Sequence, residues 1–90
     1  MEVIRIEMEP LGTKLQHIAR LHTSGGQVFK RQEMVDYVSR NPRTVYVKGG
    51  GSTAYLEAIL HHTPQYVKSR ADGTREDNLL YLPGGPLHGR

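Results

Sequence analysis

Residues 30–40 hold the one convincing helix in the chain, and everything else has to be built around it. The stretch lacks glycine and proline, and it sets Met34, Val35 and Val38 at helical spacing while Arg31, Gln32, Asp36 and Arg40 are left for solvent. Asn41-Pro42 ends it, because the residue before a proline is pushed out of the α region and proline has no N–H to donate. An apolar stripe on one helix must be buried against something, and the remaining sequence reads as extended. From Val3 to Met8 polar and apolar residues alternate, with Ile4, Ile6 and Met8 on one side of the pleat and Arg5 and Glu7 on the other. Pro10, Leu11 and Gly12 break that strand. A weaker alternation runs from Lys14 to His22 and stops at Thr23-Ser24-Gly25-Gly26, so the first two strands are expected to form a hairpin.

Beyond the helix, Thr44 to Lys48 reads as a short strand rich in β-branched and aromatic residues, followed by the loop Gly49-Gly50-Gly51-Ser52. Ala54 to His61 and Gln65 to Arg70 then read as a second hairpin around His62, Thr63 and Pro64. A helix over Ala54–His62 competes with this reading, since Ala, Leu and Glu favour helices and Tyr55, Ile59 and His62 have helical spacing. The strand reading is preferred. These elements make an α+β domain, a small antiparallel sheet of about five strands with one helix in the order β-β-α-β-β-β. The domain is expected to span residues 1–83, with 84–90 a flexible tail, because Gly84, Gly85, Pro86 and Gly89 offer little to bury.

A chain of 90 residues without tryptophan can form one modest core. The absence of cysteine removes any disulfide framework and any cysteine-based zinc site. The apolar runs are a few residues long, far short of a bilayer span, and Glu2, Arg5, Glu7 and Glu9 stand where a signal peptide needs an apolar core. A cytoplasmic protein without a membrane segment is the expectation. Twelve Lys and Arg against nine Asp and Glu give a formal charge of +3, which permits an anionic partner without demanding one.

The motifs that could carry chemistry are weak. Lys48-Gly49-Gly50-Gly51-Ser52-Thr53 has the glycines of a phosphate-cradling loop, but its lysine precedes them instead of following, so it reads as a connecting loop. Five histidines, His17, His22, His61, His62 and His88, show no H-E-x-x-H pattern, and the neighbours His61 and His62 would point to opposite faces of a strand. Ser24, Ser39, Ser52 and Ser69 lack a nucleophile-elbow context. Catalysis, a metal and a cofactor are therefore not expected.

The run Tyr66-Val67-Lys68-Ser69-Arg70-Ala71-Asp72-Gly73-Thr74-Arg75-Glu76-Asp77-Asn78-Leu79-Leu80-Tyr81-Leu82-Pro83 resembles the C-terminal signature of DUF3892, a family of small bacterial and phage proteins catalogued as a domain of unknown function. The resemblance is sharp over about twenty residues, and upstream it extends to the order of elements. It departs where Asn41-Pro42 stands in place of the glycine that commonly closes the family helix. The resemblance implies the fold and no activity. Physically, the ending reads as structural: Asp72-Gly73 and Asp77-Asn78 supply turns, Leu79, Leu80 and Leu82 tuck under a sheet edge, and Pro83 blocks extension of that edge.

Two functions remain in contention. The first is a non-enzymatic module whose sheet face or edge binds a protein partner or a second copy of the chain. The alternative is nucleic-acid binding, with Tyr46, Tyr55 and Tyr66 stacking bases while Arg43, Lys48, Lys68 and Arg70 contact phosphates. Across both, Arg43, Tyr46, Lys48, Tyr66, Lys68 and Arg70 are the candidate contact residues.

Overall fold

The computed structural model describes residues 1–49, 51–69 and 78–89. The domain is α+β, with one helix, α1 (Arg31–Arg40), and six strands: β1 (Val3–Met8), β2 (Ile18–Thr23), β3 (Val28–Lys30), β4 (Tyr46–Gly49), β5 (Ser52–Ile59) and β6 (Tyr66–Ser69). They form two antiparallel three-stranded sheets, β1-β2-β3 and β4-β5-β6, in place of the single sheet of about five strands expected from the sequence. The strand that sequence reading missed is β3. It is three residues long, and its last residue, Lys30, is also the N-cap of α1, so the helix signal masks it. The two sheets meet where the start of β1 touches β4, in a parallel bridge between Glu2 and Tyr46, with Tyr46 N–H donating to the Met1 carbonyl at 2.9 Å.

Two further expectations fail for local reasons. Ile4 does not share a face with Ile6: a register irregularity between Val3 and Arg5 shifts the alternation, so Val3 and Ile6 both point into the core and Ile4 is 44% exposed. The alternation from Lys14 does not make strand until Ile18, because Leu15–His17 is a 3-10 turn closed by His17 Nδ1, which accepts from the Thr13 and Lys14 N–H groups at 3.2 Å. Where strand and helix competed, over 54–62, strand prevails through Ile59. Inward-facing Ala54 and Leu56 become part of the core, which a helix in that position could not achieve while pairing with both β4 and β6.

The core is shared by both sheets and the helix: Val3, Ile6, Ile18, Leu21, Met34, Val35, Val38, Val45, Val47, Leu56, Val67 and Leu79 are all buried in one cluster. α1 puts Met34, Val35 and Val38 inward and packs on both sheets. Burial of such side chains contributes about 1.5 to 3 kcal/mol each, which makes this stripe the main tie between helix and sheets.

The chain end is part of the fold. After a 3-10 turn at Asn78–Tyr81, Ile6 N–H donates to the Pro83 carbonyl at 3.0 Å and Leu87 N–H to the Leu80 carbonyl at 3.0 Å. Leu87 packs against the core. Gly84 has φ +87°, and a Cβ there would lie 1.8 Å from the Ile6 carbonyl oxygen, so this approach to β1 requires glycine. The segment that composition left with little to bury is thus laid along an edge strand.

Candidate functional site

The candidate residues fall on and beside the β4-β5-β6 sheet, whose geometry follows from unequal strand lengths. β5 has eight residues, whereas β4 and β6 have four each. β4 pairs with the first half of β5, from Gly49 opposite Ser52 to Tyr46 opposite Tyr55. β6 pairs with the second half, from Ser69 opposite Leu56 to Tyr66 opposite Ile59.

Strand alternation then sorts the side chains. Val47, Ala54, Leu56, Val67 and Ser69 are buried on the inner face, so Tyr46, Lys48, Tyr55, Glu57, Tyr66 and Lys68 belong to the outer one. Tyr46 and Tyr55 meet edge to face with ring centroids 6.3 Å apart, while the Tyr66 ring meets that of His62 at 5.2 Å. Lys68 Nζ stands 3.9 Å from Glu57 Oε1. The structure therefore brings Tyr46, Lys48, Tyr66 and Lys68 to one face. It does not make that face a cationic track, because a carboxylate interrupts it beside Lys68. Lys48 is exposed opposite Thr53, and Ser52 Oγ closes the hairpin onto the Gly49 carbonyl at 3.0 Å.

Arg43 is not on a strand of that face but in the connection between α1 and β4. Asn41 closes the helix twice onto the Tyr37 carbonyl, through its backbone N–H at 2.9 Å and its Nδ2 at 3.0 Å, and Thr44 Oγ1 donates to the Asn41 carbonyl at 2.6 Å. Between these anchors Arg43 adopts φ +60°, a left-handed conformation that costs a non-glycine residue about 1 to 2 kcal/mol. The chain joins the sheet only after this turn, at Tyr46, so on its β4 side β5 continues past Leu56 with no described strand beside it, while β6 lines its other side.

The edge so exposed is specific in its polarity. Leu56 N–H donates to the Val45 carbonyl at 2.8 Å, on the β4 side. By the two-residue period, Glu57 and Ile59 turn their backbone groups to β6, and Ala58 turns its N–H and C=O back to the β4 side, where no described residue takes them up. A cleft of about 480 Å³ lies along this edge, within the range of ligand pockets. It is lined by Val38 and Ser39 of α1, by Pro42 and Arg43 of the following turn, by Tyr55, Leu56, Glu57 and Ala58 of β5, and by Leu60 just beyond it. Leu60 is 54% exposed and Tyr55 43%. Of these lining residues the sequence offered only Arg43 and Tyr55 as partner contacts, because an open edge depends on relative strand lengths, which no local motif records.

Among the signature residues, Leu79 and Leu80 are buried, Leu82 is half-buried against the core, and Pro83 is the acceptor for Ile6. Asn78 fits against Gly49, where a Cβ would come within 2.9 Å of its Cγ. Arg70, Asp72, Gly73 and Asp77 lie outside the described residues. Away from the cleft, Glu7 is held below its ordinary carboxylate value, first by its hydrogen bond with His22 Nε2 at 2.5 Å, against a desolvation that raises it, and then by the charges of Arg20, His22 and Arg5. No described helix is long and apolar enough to cross a membrane.

A family model described as a protein of unknown function (DUF3892) matches residues 2–83, which spans both sheets, the helix and the leucine-rich turn. No curated protein matches the chain, and no solved structure does. The chain belongs to that family.

Proposed function

We propose that this member of the DUF3892 family is a non-enzymatic interaction module that takes up an extended polypeptide segment on the open edge of β5. The observation that carries the reading is Ala58, whose N–H and C=O face the cleft without a partner among the described residues. A strand edge of this kind offers main-chain hydrogen bonds, and the adjoining apolar groove takes alternate side chains of the guest.

The test is Ala58→Pro. The substitution removes the outward N–H and leaves the ladder to β6 intact, since that ladder uses Glu57 and Ile59. Leu60→Lys serves as a second variant that blunts the edge with a charge and keeps every backbone donor. Both variants should melt within about 1 kcal/mol of the parent and lose binding of peptides selected on it from a random display library. Retention of binding by both would sink the reading. Should the chain instead prove to dimerise through this edge, sedimentation would give a concentration-dependent mass that Ala58→Pro abolishes, and the guest strand would be a second copy.

A second reading, nucleic-acid binding, draws support from Tyr46, Lys48, Tyr66 and Lys68 sharing the outer face. It requires affinity that falls steeply with salt, with a log-log slope of about −0.7 to −0.9 per phosphate neutralised. The Glu57 carboxylate among these residues weighs against it.

A further inference from the structure

Resting on the edge-binding reading, we infer that the segment taken up by β5 is acidic: an Asp or Glu side chain of the guest pairs with Arg43, while a neighbouring apolar side chain enters the cleft beside Val38, Pro42 and Leu60. Three observations converge on Arg43. Its guanidinium has no carboxylate partner among the described residues, unlike those of Arg20 and Arg31, which pair with Glu7 at 3.6 Å and Glu9 at 3.1 Å; Arg5 and Arg40 also lack such a pair there, but neither lines the cleft. It lines the same cleft as the open edge. Its backbone is held at φ +60° by a turn whose ends are fixed at Tyr37 and at Thr44, a conformation in which glycine would be relaxed and arginine is strained.

An arginine that lines an apolar groove and has no carboxylate partner among the described residues selects by charge and shape together. The guanidinium presents donors in a planar fork that a carboxylate meets with two parallel hydrogen bonds. A guest strand lying along Ala58 would continue the line of β4, and its side chains would alternate between the helix side and the outer side of the sheet. The helix side offers Val38 and Pro42, which suit an apolar residue. The outer side already carries Tyr55 and Glu57, so a carboxylate is favoured only where the guest passes Arg43, and the register of the guest is thereby fixed at one position.

The experiment is selection of extended peptides from a random library displayed without free termini, on the parent domain and on Arg43→Gly. Glycine relieves the left-handed strain, so this variant should be folded and slightly more stable, which removes misfolding as an explanation for lost binding. On the parent, one peptide position should be enriched in Asp or Glu at a fixed offset from an apolar position. Replacement of that acid by its amide should weaken binding about tenfold, and the Ala58 amide resonance should shift on titration. On Arg43→Gly the acidic preference should vanish while weaker binding at the same amide persists. Peptides that shift Ala58 but carry no acidic preference would overturn the inference and leave edge binding standing. Failure of any selected peptide to shift Ala58 would overturn both. An acidic preference unchanged in Arg43→Gly would overturn the assignment to Arg43.

Discussion

Two strands in this molecule outrun their neighbours, and only one of them is covered. On the edge away from β2, β1 touches β4 at a single bridge and then has no strand beside it, but Pro83 to Gly85 lie along that edge and the Pro83 carbonyl takes up the Ile6 N–H. β5 leaves β4 at Leu56 and continues past Ala58, where the chain supplies no such cover among its described residues. Unpaired edges invite intermolecular pairing, and folded proteins usually cover, charge or shorten them. The chain covers the first edge with its own C-terminal segment and leaves a cleft and a strained arginine along the second, and the proposal of a guest strand rests on that difference.

The contrast can be broken most severely by removing what holds the cover in place. Leu79 is fully buried in the turn that leads into the covering segment, so Leu79→Ala should cost about 3 to 5 kcal/mol through lost burial and the cavity left behind. Thermal or urea unfolding measures this, and unchanged stability would mean that the turn is not an integral part of the core. A more selective way is Gly84→Ala. A methyl group cannot occupy a position 1.8 Å from the Ile6 carbonyl oxygen, so the segment must move away from β1. The cost is bounded by what the segment contributes, about two hydrogen bonds and the partial burial of Leu87, or about 2 to 3 kcal/mol. In that variant β1 becomes a second open edge, and a stronger tendency to self-associate, read by sedimentation, is the expected consequence.

The smallest expected effect concerns the outer side of the β1-β2-β3 sheet, which is laced with ion pairs. Glu7 is held below its ordinary value chiefly by His22, so its charged form is favoured in the folded state. Its contribution is present above the unfolded carboxylate pKa and is lost as pH falls through the lower folded value. Glu7→Gln should therefore flatten the acid limb of the stability curve slightly and leave neutral binding unchanged. Equal acid limbs in parent and variant would show that the pair contributes nothing.

How much of this was legible beforehand divides along the same line. The helix face of Met34, Val35 and Val38, the α+β class and a strand expected over Ala54–His61, which the structure places at Ser52–Ile59, were readable, because period and breaker residues record them locally. The division into two sheets was not, because β3 is too short to show a period and merges with the helix start. Nor was the turn of Val3 and Ile6 to one side, since a bulge leaves no mark in an alternating pattern. At the candidate site the sequence singled out Arg43, Tyr46, Lys48, Tyr66 and Lys68 by residue type, and it assumed that their charges and rings act together. The structure separates them: Arg43 belongs to the cleft, and Lys68 shares the outer face with an acidic neighbour. The decisive residue, Ala58, has no chemistry in its side chain and enters through its backbone alone.

Amide hydrogen exchange at Ile6 and Ala58, followed in the same sample, tests the open edge most directly. The Ile6 amide, bonded to the Pro83 carbonyl, should exchange slowly, on the timescale of sub-global unfolding, while the Ala58 amide should exchange orders of magnitude faster and become protected when a selected peptide is added. Slow exchange at Ala58 in the free, dilute domain would show that its edge is already covered, and the account of β5 as a docking strand would be wrong.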